Sequence, residues 1–429
     1  MADMDRVYVY ENWKTDEPSL IGTLYVDSSR SGQVVSFEYD EAWYSDVNNN
    51  IMLDPDIMFY KGRQYLPYNK LLFGMFEDSC PDRWGRVLMN RHEAIIAKEE
   101  NRRKRTLSEI DYLVGVYDKL RMGGLRFSAE KGGTFLTDDK EYAVPPWVML
   151  RELEAASIAF ENKEEVKKEI KQLMRPGSSL GGARPKASIE DVDGSLWIAK
   201  FPSTKDDINV GAWEMVVHDL ALMCELNVPE AKLQRFSDLG STFIVKRFDR
   251  INNRRVHFAS AMTLLGKIDG KDDLDGTSYF DIASIIKSYS SSPKEDLREL
   301  WKRIVFFMAV SNTDDHLRNH GFVLSGNSWR LSPLYDVNPT INSDELKLIV
   351  DQDTKFIDFN LALSAAKYYE VTDDEAVDLI ESVIETVADK WESLAKKYGI
   401  SHNEIEYVRP AFDMSLKPML IGYDYVKRY

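Results

Sequence analysis

The strongest constraint on this chain is an apolar helix that leads directly into a dense polar loop. Residues 292–310 read SPKEDLRELWKRIVFFMAV. Ser292 with Glu295 three positions on predicts a capping box, and Pro293 sits where a first helical residue needs no hydrogen-bonded N–H. Leu297, Leu300, Trp301, Ile304, Val305 and Met308 then recur at i, i+3, i+4 spacing, which predicts one buried face. Immediately after comes SNTDDHLRNHGF, Ser311 to Phe322, followed by the apolar FVL. Charges between apolar segments are costly unless paired, solvated or coordinating. The stretch is therefore a metal cage, a phosphate-handling site or a polar loop.

Bulk properties narrow the classes. At 429 residues, two or three domains are expected. Hydrophobic content of 44% and aromatic content of 11% fit a folded globular chain rather than a disordered one. The longest apolar runs are about a third of a membrane span. The start, MADMDRVYVYENW, lacks a basic region followed by an apolar one, so no signal peptide is expected. Two cysteines, Cys80 and Cys224, are too few for a disulfide scaffold or a cysteine-rich zinc site. A soluble, cytoplasmic protein with no membrane partner is the expectation. The net charge of −16 opposes nucleic-acid binding by the overall field, so DNA contact would need a partner. One basic cluster, RRKR at Arg102 to Arg105, is either a solvated helix end or a phosphate-contact patch.

Along the chain, the first ~70 residues alternate apolar and polar positions and are rich in Val and Tyr (RVYVYEN, LIGTLYV, VVSFEYD), which predicts strands. A helical pattern follows to Glu99, and another at 146–174. Residues 178–250 contain a glycine loop, SSLGGARPKA, then two strands around an Asp193–Gly194 turn, a helix (GAWEMVVHDLALMCEL) and a strand (STFIVKRFD). After about residue 258 the pattern is mostly helical. Thr372 to Gly399 forms a capped amphipathic helix with Gly399 as its stop. The fold class is α+β.

Within the polar loop, Asp314 and Asn319 are separated by four residues. A tight loop with this spacing can aim a carboxylate at a hydroxyl while the amide oxygen reaches a magnesium ion, the division of labour in protein kinases. The downstream GFVLSGNSWRLSPLYD predicts a hairpin turning at Ser325–Gly326–Asn327 and ending in Asp336, a second oxygen ligand. Lys200 ends the strand LWIAK, where it either contacts phosphates or lies exposed at a strand edge. Backbone amides of Gly181, Gly182 and Ala183 could cover phosphates, although SSLGGARPKA lacks the P-loop pattern and can equally be a plain turn. Glu214, in the first turn of the next helix, either pairs with Lys200 or serves the helix dipole. His316 and His320, four apart, offer a zinc reading, but Gly321 argues for a loop and no further Cys/His cluster accompanies them.

Taken together, these segments resemble the HipA family of serine/threonine kinases, the toxins of HipBA toxin–antitoxin pairs. NTDDHLRNHGF followed by WRLSPLYDVNP carries the resemblance most specifically. FGMFEDSCPDRWGRVLM and YLVGVYDKLRMGGLRF resemble the family's N-terminal region, and SSLGGARPKA, WIAKFPS, IVKRFDR and HFASAMTLLG its kinase region. The resemblance implies a protein-kinase-like two-lobed fold with a β-rich N-terminal subdomain and an all-α C-terminal lobe. The implied divisions are 1–130 for the β-rich domain with its helices, 131–250 for an N-lobe-like region with the phosphate loop, and 251–429 for the helical lobe with the catalytic loop.

Residue by residue, the resemblance implies that Asp314 accepts the substrate hydroxyl proton. His316, Leu317, Arg318 and Asn319 line the nucleotide, and Tyr335 and Asp336 form the family's Tyr-Asp pair. Asn319 and Asp336 then hold magnesium, and Lys200 meets ATP phosphates. Gly181, Gly182, Ala183, Arg184, Pro185 and Lys186 fall on the phosphate loop, and Lys246, Arg247 and Phe248 on the adenine hinge, with Lys246 where some relatives are acidic. Ser179, with Ser178 adjacent, matches a loop serine whose autophosphorylation inactivates the kinase. A phosphate there adds about −1.5 to −2 charge and would oppose the triphosphate. The implied partners are a HipB-like helix-turn-helix antitoxin, through which most DNA contact would run, and a protein substrate, an aminoacyl-tRNA synthetase in known relatives. An alternative is a kinase-like binding protein acting mainly as corepressor with its antitoxin.

Overall fold

In a computed structural model, the protein is described for all residues except 1–4, 30–31, 68, 138–143, 165–181, 183, 270–275, 342, 352 and 421–429. The chain divides into two compact units that are discontinuous in sequence. The first comprises 1–200, 246–268 and 322–328, and the second 201–245, 269–321 and 329–429.

The first unit begins with the strands that alternation predicts. β1 (Arg6–Glu11), β2 (Ser19–Ser29), β3 (Gly32–Tyr39), β4 (Gln64–Tyr65) and β5 (Leu125–Ser128) form an antiparallel sheet in the order β4-β3-β2-β1-β5. Because side chains alternate faces along a strand, Val7, Val9, Leu24 and Phe37 all point into one core. There the Phe37 ring meets Phe76 at 5.7 Å, and Phe76 meets Phe127 at 6.0 Å in an edge-on packing. Helix α1 (Arg83–Glu99) starts at Asp82, whose Oδ1 accepts from the Gly85 N–H at 2.8 Å. The RRKR cluster follows this helix. Arg102 pairs with Glu93 at 2.6 Å and Arg105 with Asp111 at 2.8 Å, so both act in local ion pairs at the helix end. Later in the unit, β6 (Lys186–Glu190) and β7 (Leu196–Lys200) pair antiparallel around a turn in which Gly194 adopts φ +80°. This turn sits at the predicted Asp193–Gly194 position, and its left-handed backbone suits glycine.

The second unit is mainly helical. α2 (Val210–Met223) lies so close to the segment 241–243 that a Cβ on Gly211 would come within 2.1 Å of the Ser241 carbonyl oxygen. Only glycine fits there. Glu214 lies just past the first turn of α2 and is buried, which corrects its expected placement within that turn. β8 (Ala231–Gln234) pairs antiparallel with β9 (Thr242–Lys246). α3 (Tyr279–Tyr289) opens with a full capping box between Ser278 and Asp281, fixing Tyr279 as its first residue.

α4 (Pro293–Val310) is the predicted apolar helix, and its Leu297, Leu300, Trp301, Ile304, Val305 and Met308 are all fully buried. Its start differs from expectation. Ser292 makes no side-chain cap, because the Ser290 hydroxyl accepts its N–H at 3.0 Å and donates to Asp296 at 2.6 Å. Glu295 turns instead to Arg330 at 3.0 Å. α5 (Asp373–Lys397) begins at the Thr372 cap and is followed by Gly399 at φ +72°, as the pattern predicts. Its Trp391 stacks on Phe412 at 4.9 Å, and Phe412 on Trp213 of α2 at 5.7 Å.

Candidate active site

The loop after α4 is a short polar segment with one 3-10 turn, Leu317–Asn319. α4 ends in Ser311, whose left-handed backbone (φ 52°) stops the helix, and the Asn312 N–H still reaches the Phe307 carbonyl at 2.9 Å. The loop is held from several sides. The Ser311 hydroxyl donates to the Ala411 carbonyl at 2.9 Å, and Tyr335 donates its hydroxyl to the Arg318 carbonyl at 2.7 Å. The Arg318 guanidinium reaches Asp269 at 3.2 Å. Lys417, buried, gives its ammonium hydrogens to the carbonyls of Ala309 (2.5 Å) and Ala411 (2.7 Å). Burial pulls that amine down to about 7, with Asp413 offsetting only part of the shift.

Asp315, with no assigned role in the sequence, is the centre of the loop's buried network. One of its oxygens, Oδ2, accepts from the Tyr279 hydroxyl at 2.7 Å and lies 2.7 Å from His320 Nε2. Asp315 and His320 are both buried, and Tyr279 is completely so. Burial, reinforced by the Asp315 carboxylate, pushes the Tyr279 hydroxyl well above the ordinary phenol range, so it remains a donor. The signal for this network was indirect. Tyr279 lies 36 residues away, and only the Ser278–Asp281 capping pattern fixes where it points. Among the described residues no group of three or more His, Cys, Asp or Glu side chains is placed to hold a metal ion, which disfavours the paired-histidine zinc reading.

Asp314, the neighbour of Asp315, behaves in the opposite way. Its backbone carbonyl is pinned by the His316 N–H and by the Asn319 side-chain amide, each at 3.1 Å, while the residue itself is exposed. Asn319 is buried; its Nδ2 donates to the Asp314 carbonyl, and its Oδ1 has no hydrogen-bond partner. An orphaned buried carbonyl oxygen is rare and calls for a partner. A hard cation seeking oxygen ligands fits it. Asp336 adopts φ +58°, a left-handed conformation uncommon outside glycine, asparagine and aspartate. Leu317 is fully buried and His316 partly so.

In the first unit, Lys200 is buried rather than exposed at a strand edge, and β6–β7 register sets it directly opposite Lys186, also buried. Like charges facing each other across a ladder are unfavourable. Lys186 is compensated by Asp82 at 2.8 Å and also donates to the Gly182 carbonyl at 3.3 Å. Asp82 thus both caps α1 and neutralises the strand lysine, a role not visible from its position in the sequence. Arg184 and Pro185 lead into β6. Ser178, Ser179, Gly181 and Ala183 lie outside the described residues. At the expected hinge, the Lys246 ammonium lies over the Trp197 ring at 5.5 Å and Phe248 packs against Phe258 at 6.0 Å. The Arg247 guanidinium is committed to Asp249 (2.7 Å) and to the Leu120 carbonyl (2.7 Å), and its N–H to Leu196 at 2.9 Å. A ligand contact at Arg247 would fall to its carbonyl oxygen.

Residues 178–391 match the model of the HipA-like C-terminal domain. A solved structure of the Shewanella oneidensis MR-1 toxin–antitoxin system, HipA with HipB and operator DNA, covers 95% of both chains at a TM-score of 0.68 and 15% identity, which shows the fold. The expected α+β fold is therefore the one found. Among curated proteins, a Haemophilus influenzae chain named as a candidate kinase is 27% identical over 230 residues, covering 49% of this chain and 62% of that one. A Sinorhizobium fredii candidate kinase is 27% identical over 227 residues, covering 47% and 53%. This chain thus spans less than two thirds of the curated relatives it matches.

Proposed function

For a chain that belongs to the HipA family, we propose an ATP- and magnesium-dependent serine/threonine protein kinase, acting as the toxin of a HipBA-type pair. The observation that carries this reading is the orphaned Asn319 amide oxygen beside an exposed Asp314 on a loop fixed by buried hydrogen bonds. A general base must be reachable by its substrate yet held in one orientation. Asp314 meets both conditions, since its main chain is clamped and its carboxylate is open. It would accept the proton of the attacking hydroxyl. Asn319 Oδ1 and the Asp336 carboxylate would hold magnesium. When bound, magnesium supplies positive charge to the phosphate oxygens as the phosphoryl group leaves. Lys200 would meet ATP phosphates, and Lys186, paired with Asp82, would belong to the phosphate loop.

The partner reading rests on the same family. A HipB-like antitoxin with a helix-turn-helix would bring the complex to operator DNA, and the acidic balance of −16 fits a chain that leaves most DNA contact to its partner. An aminoacyl-tRNA synthetase is the proposed substrate class, and phosphorylation in the 178–179 loop the proposed brake.

The test is incubation of wild type and Asp314→Asn with labelled ATP and a cell lysate. The variant should fold normally and lose phosphoryl transfer by about 10²–10⁴-fold. If it still labels itself or a lysate protein at the wild-type rate, Asp314 is not the base. Label in a lipid or metabolite instead of protein would replace the protein-kinase reading with a small-molecule kinase.

A further inference from the structure

The first unit contains a second feature that the kinase reading does not use. Around β5 and a short hairpin that pairs Arg250–Ile251 with Arg254–Arg255, four guanidiniums share two buried carboxylates. Arg126 and Arg255 hold Asp118 at 2.6 and 3.0 Å, while Arg247 and Arg250 hold Asp249 at 2.7 and 2.6 Å. Both aspartates are almost completely buried. A fifth guanidinium, Arg121, is buried nearby and bonds only to carbonyl oxygens, those of Ser79, Leu113 and Val116. Among the described residues Arg121 has no carboxylate partner and Arg247 and Arg250 share one, so guanidiniums exceed carboxylates here inside a chain whose net charge is −16. Buried excess charge is unfavourable unless a counter-ion completes it.

This cluster borders a cleft of about 350 Å3 lined entirely by residues of the first unit. Arg250 and Arg255 form part of its wall, and Lys14, Lys119 and Arg254 also line it. With Asp249 and Asp118 holding Arg250 and Arg255 from behind, Lys14 is the lining cation left without a carboxylate, and the carboxylates on the wall itself are Asp16 and Glu190. Both are held in solvent-exposed pairs, Arg254 with Asp16 at 2.8 Å and Lys119 with Glu190 at 2.6 Å. Exposed pairs are weak and exchange readily. Lys14 has a neutral partner, the Asn49 side-chain oxygen, and lies over the Trp43 ring at 4.7 Å. The indole N–H of Trp13, another lining residue, is buried without an acceptor.

We propose that this cleft is a phosphate-recognition site, taking the phosphoryl dianion of a small phosphorylated molecule or of a phosphorylated side chain. A monovalent carboxylate would only replace Asp16 or Glu190. A tetrahedral dianion can accept from Arg254 and Lys14 together while offsetting the cationic wall behind them, and guanidinium forks match phosphate oxygens. The volume admits a pyrophosphate or a phosphoserine with its flanking backbone.

The experiment is calorimetric titration of the full chain with inorganic pyrophosphate and, separately, with a short phosphoserine peptide. Three forms are compared: wild type, the double variant Lys14→Gln/Arg254→Gln, and Asp336→Asn. Both substituted cleft positions are exposed, and matching thermal midpoints confirm that the variant folds. At least one probe should bind wild type and Asp336→Asn alike and bind the double variant about tenfold or more weakly. Pyrophosphate alone meeting that pattern identifies a small-molecule site, and the peptide meeting it identifies a phosphorylated segment. Neither probe binding overturns the proposal. So does binding lost in Asp336→Asn and kept in the double variant, which places the anion at the nucleotide site. Because the Asp314→Asn labelling test does not involve the cleft, the two readings can fail independently.

Discussion

The Asp315 network and the Asp249 cluster both anchor chain with buried carboxylates, but their charge balance differs. Around Asp315 the partners are a phenol and an imidazole, and a single carboxylate oxygen serves both. Around Asp249 two guanidiniums converge on one carboxylate, and a backbone N–H from Gly123 joins them at 2.8 Å. Burial alone would raise the Asp249 carboxyl, yet Arg247 and Arg250 hold it well below the usual carboxylate range. Arg250 is in turn lowered well below the ordinary guanidinium value, chiefly by burial and despite Asp249. The first arrangement joins a phenol and an imidazole through one carboxylate oxygen and orients a loop. The second leaves positive charge over, which is what an anion site requires.

Removing the carboxylates probes this contrast most strongly. Asp249→Ala strands Arg247 and Arg250 in the interior, and unfolding by urea should show a loss of about 3–5 kcal/mol. Asp315→Ala leaves a phenol and an imidazole without their acceptor, so a smaller loss of about 2–4 kcal/mol is expected from the same measurement. If Asp315→Ala proves the more damaging, the two networks do not differ in the way described. Activity sharpens the point, because Asp315→Ala should slow phosphoryl transfer even at temperatures where the variant is fully folded.

A gentler probe is Lys417, which ties the Ala309 carbonyl near the end of α4 to the Ala411 carbonyl. Its amine titrates near 7 in the folded chain and near the usual lysine value of 10.5 when unfolded. Between those values the unfolded chain binds more protons, so this group makes stability rise with pH from about 7 upward. Lys417→Met should remove that contribution, and the stability difference between wild type and variant should change with pH across this window. A constant difference would mean that the amine is not neutral in the fold. The smallest effect is expected at Ser292, where alanine should change stability by less than about 0.5 kcal/mol because no cap bond is lost.

That last expectation also shows what local patterning can and cannot read. Ser292 and Glu295 have the spacing of a capping box, but Ser290 and Arg330 outcompete it. Thr372 and Gly399, with no such rivals, end up in their predicted roles. The buried face of α4 and the polar loop behind it were legible because they depend on spacings of three to five residues. Asp315 was not, since its meaning depends on Tyr279 and on a fold that brings the two together. The segments 246–268 and 322–328 rejoin the first unit after long excursions. Nothing in their local composition marks this, because contacts between distant segments leave no period in the sequence.

The left-handed backbone at Asp336 has a practical consequence for mutational scans. Alanine there changes two properties together, deleting a carboxylate and forcing a side chain that disfavours positive φ into that region. Asparagine keeps the backbone preference and removes only the charge, while glycine relieves the backbone and removes both. A scan that substitutes alanine alone would attribute the sum to chemistry. Comparing Asp336→Asn with Asp336→Gly separates how much of the residue's importance is ionic and how much is the shape of the turn it occupies.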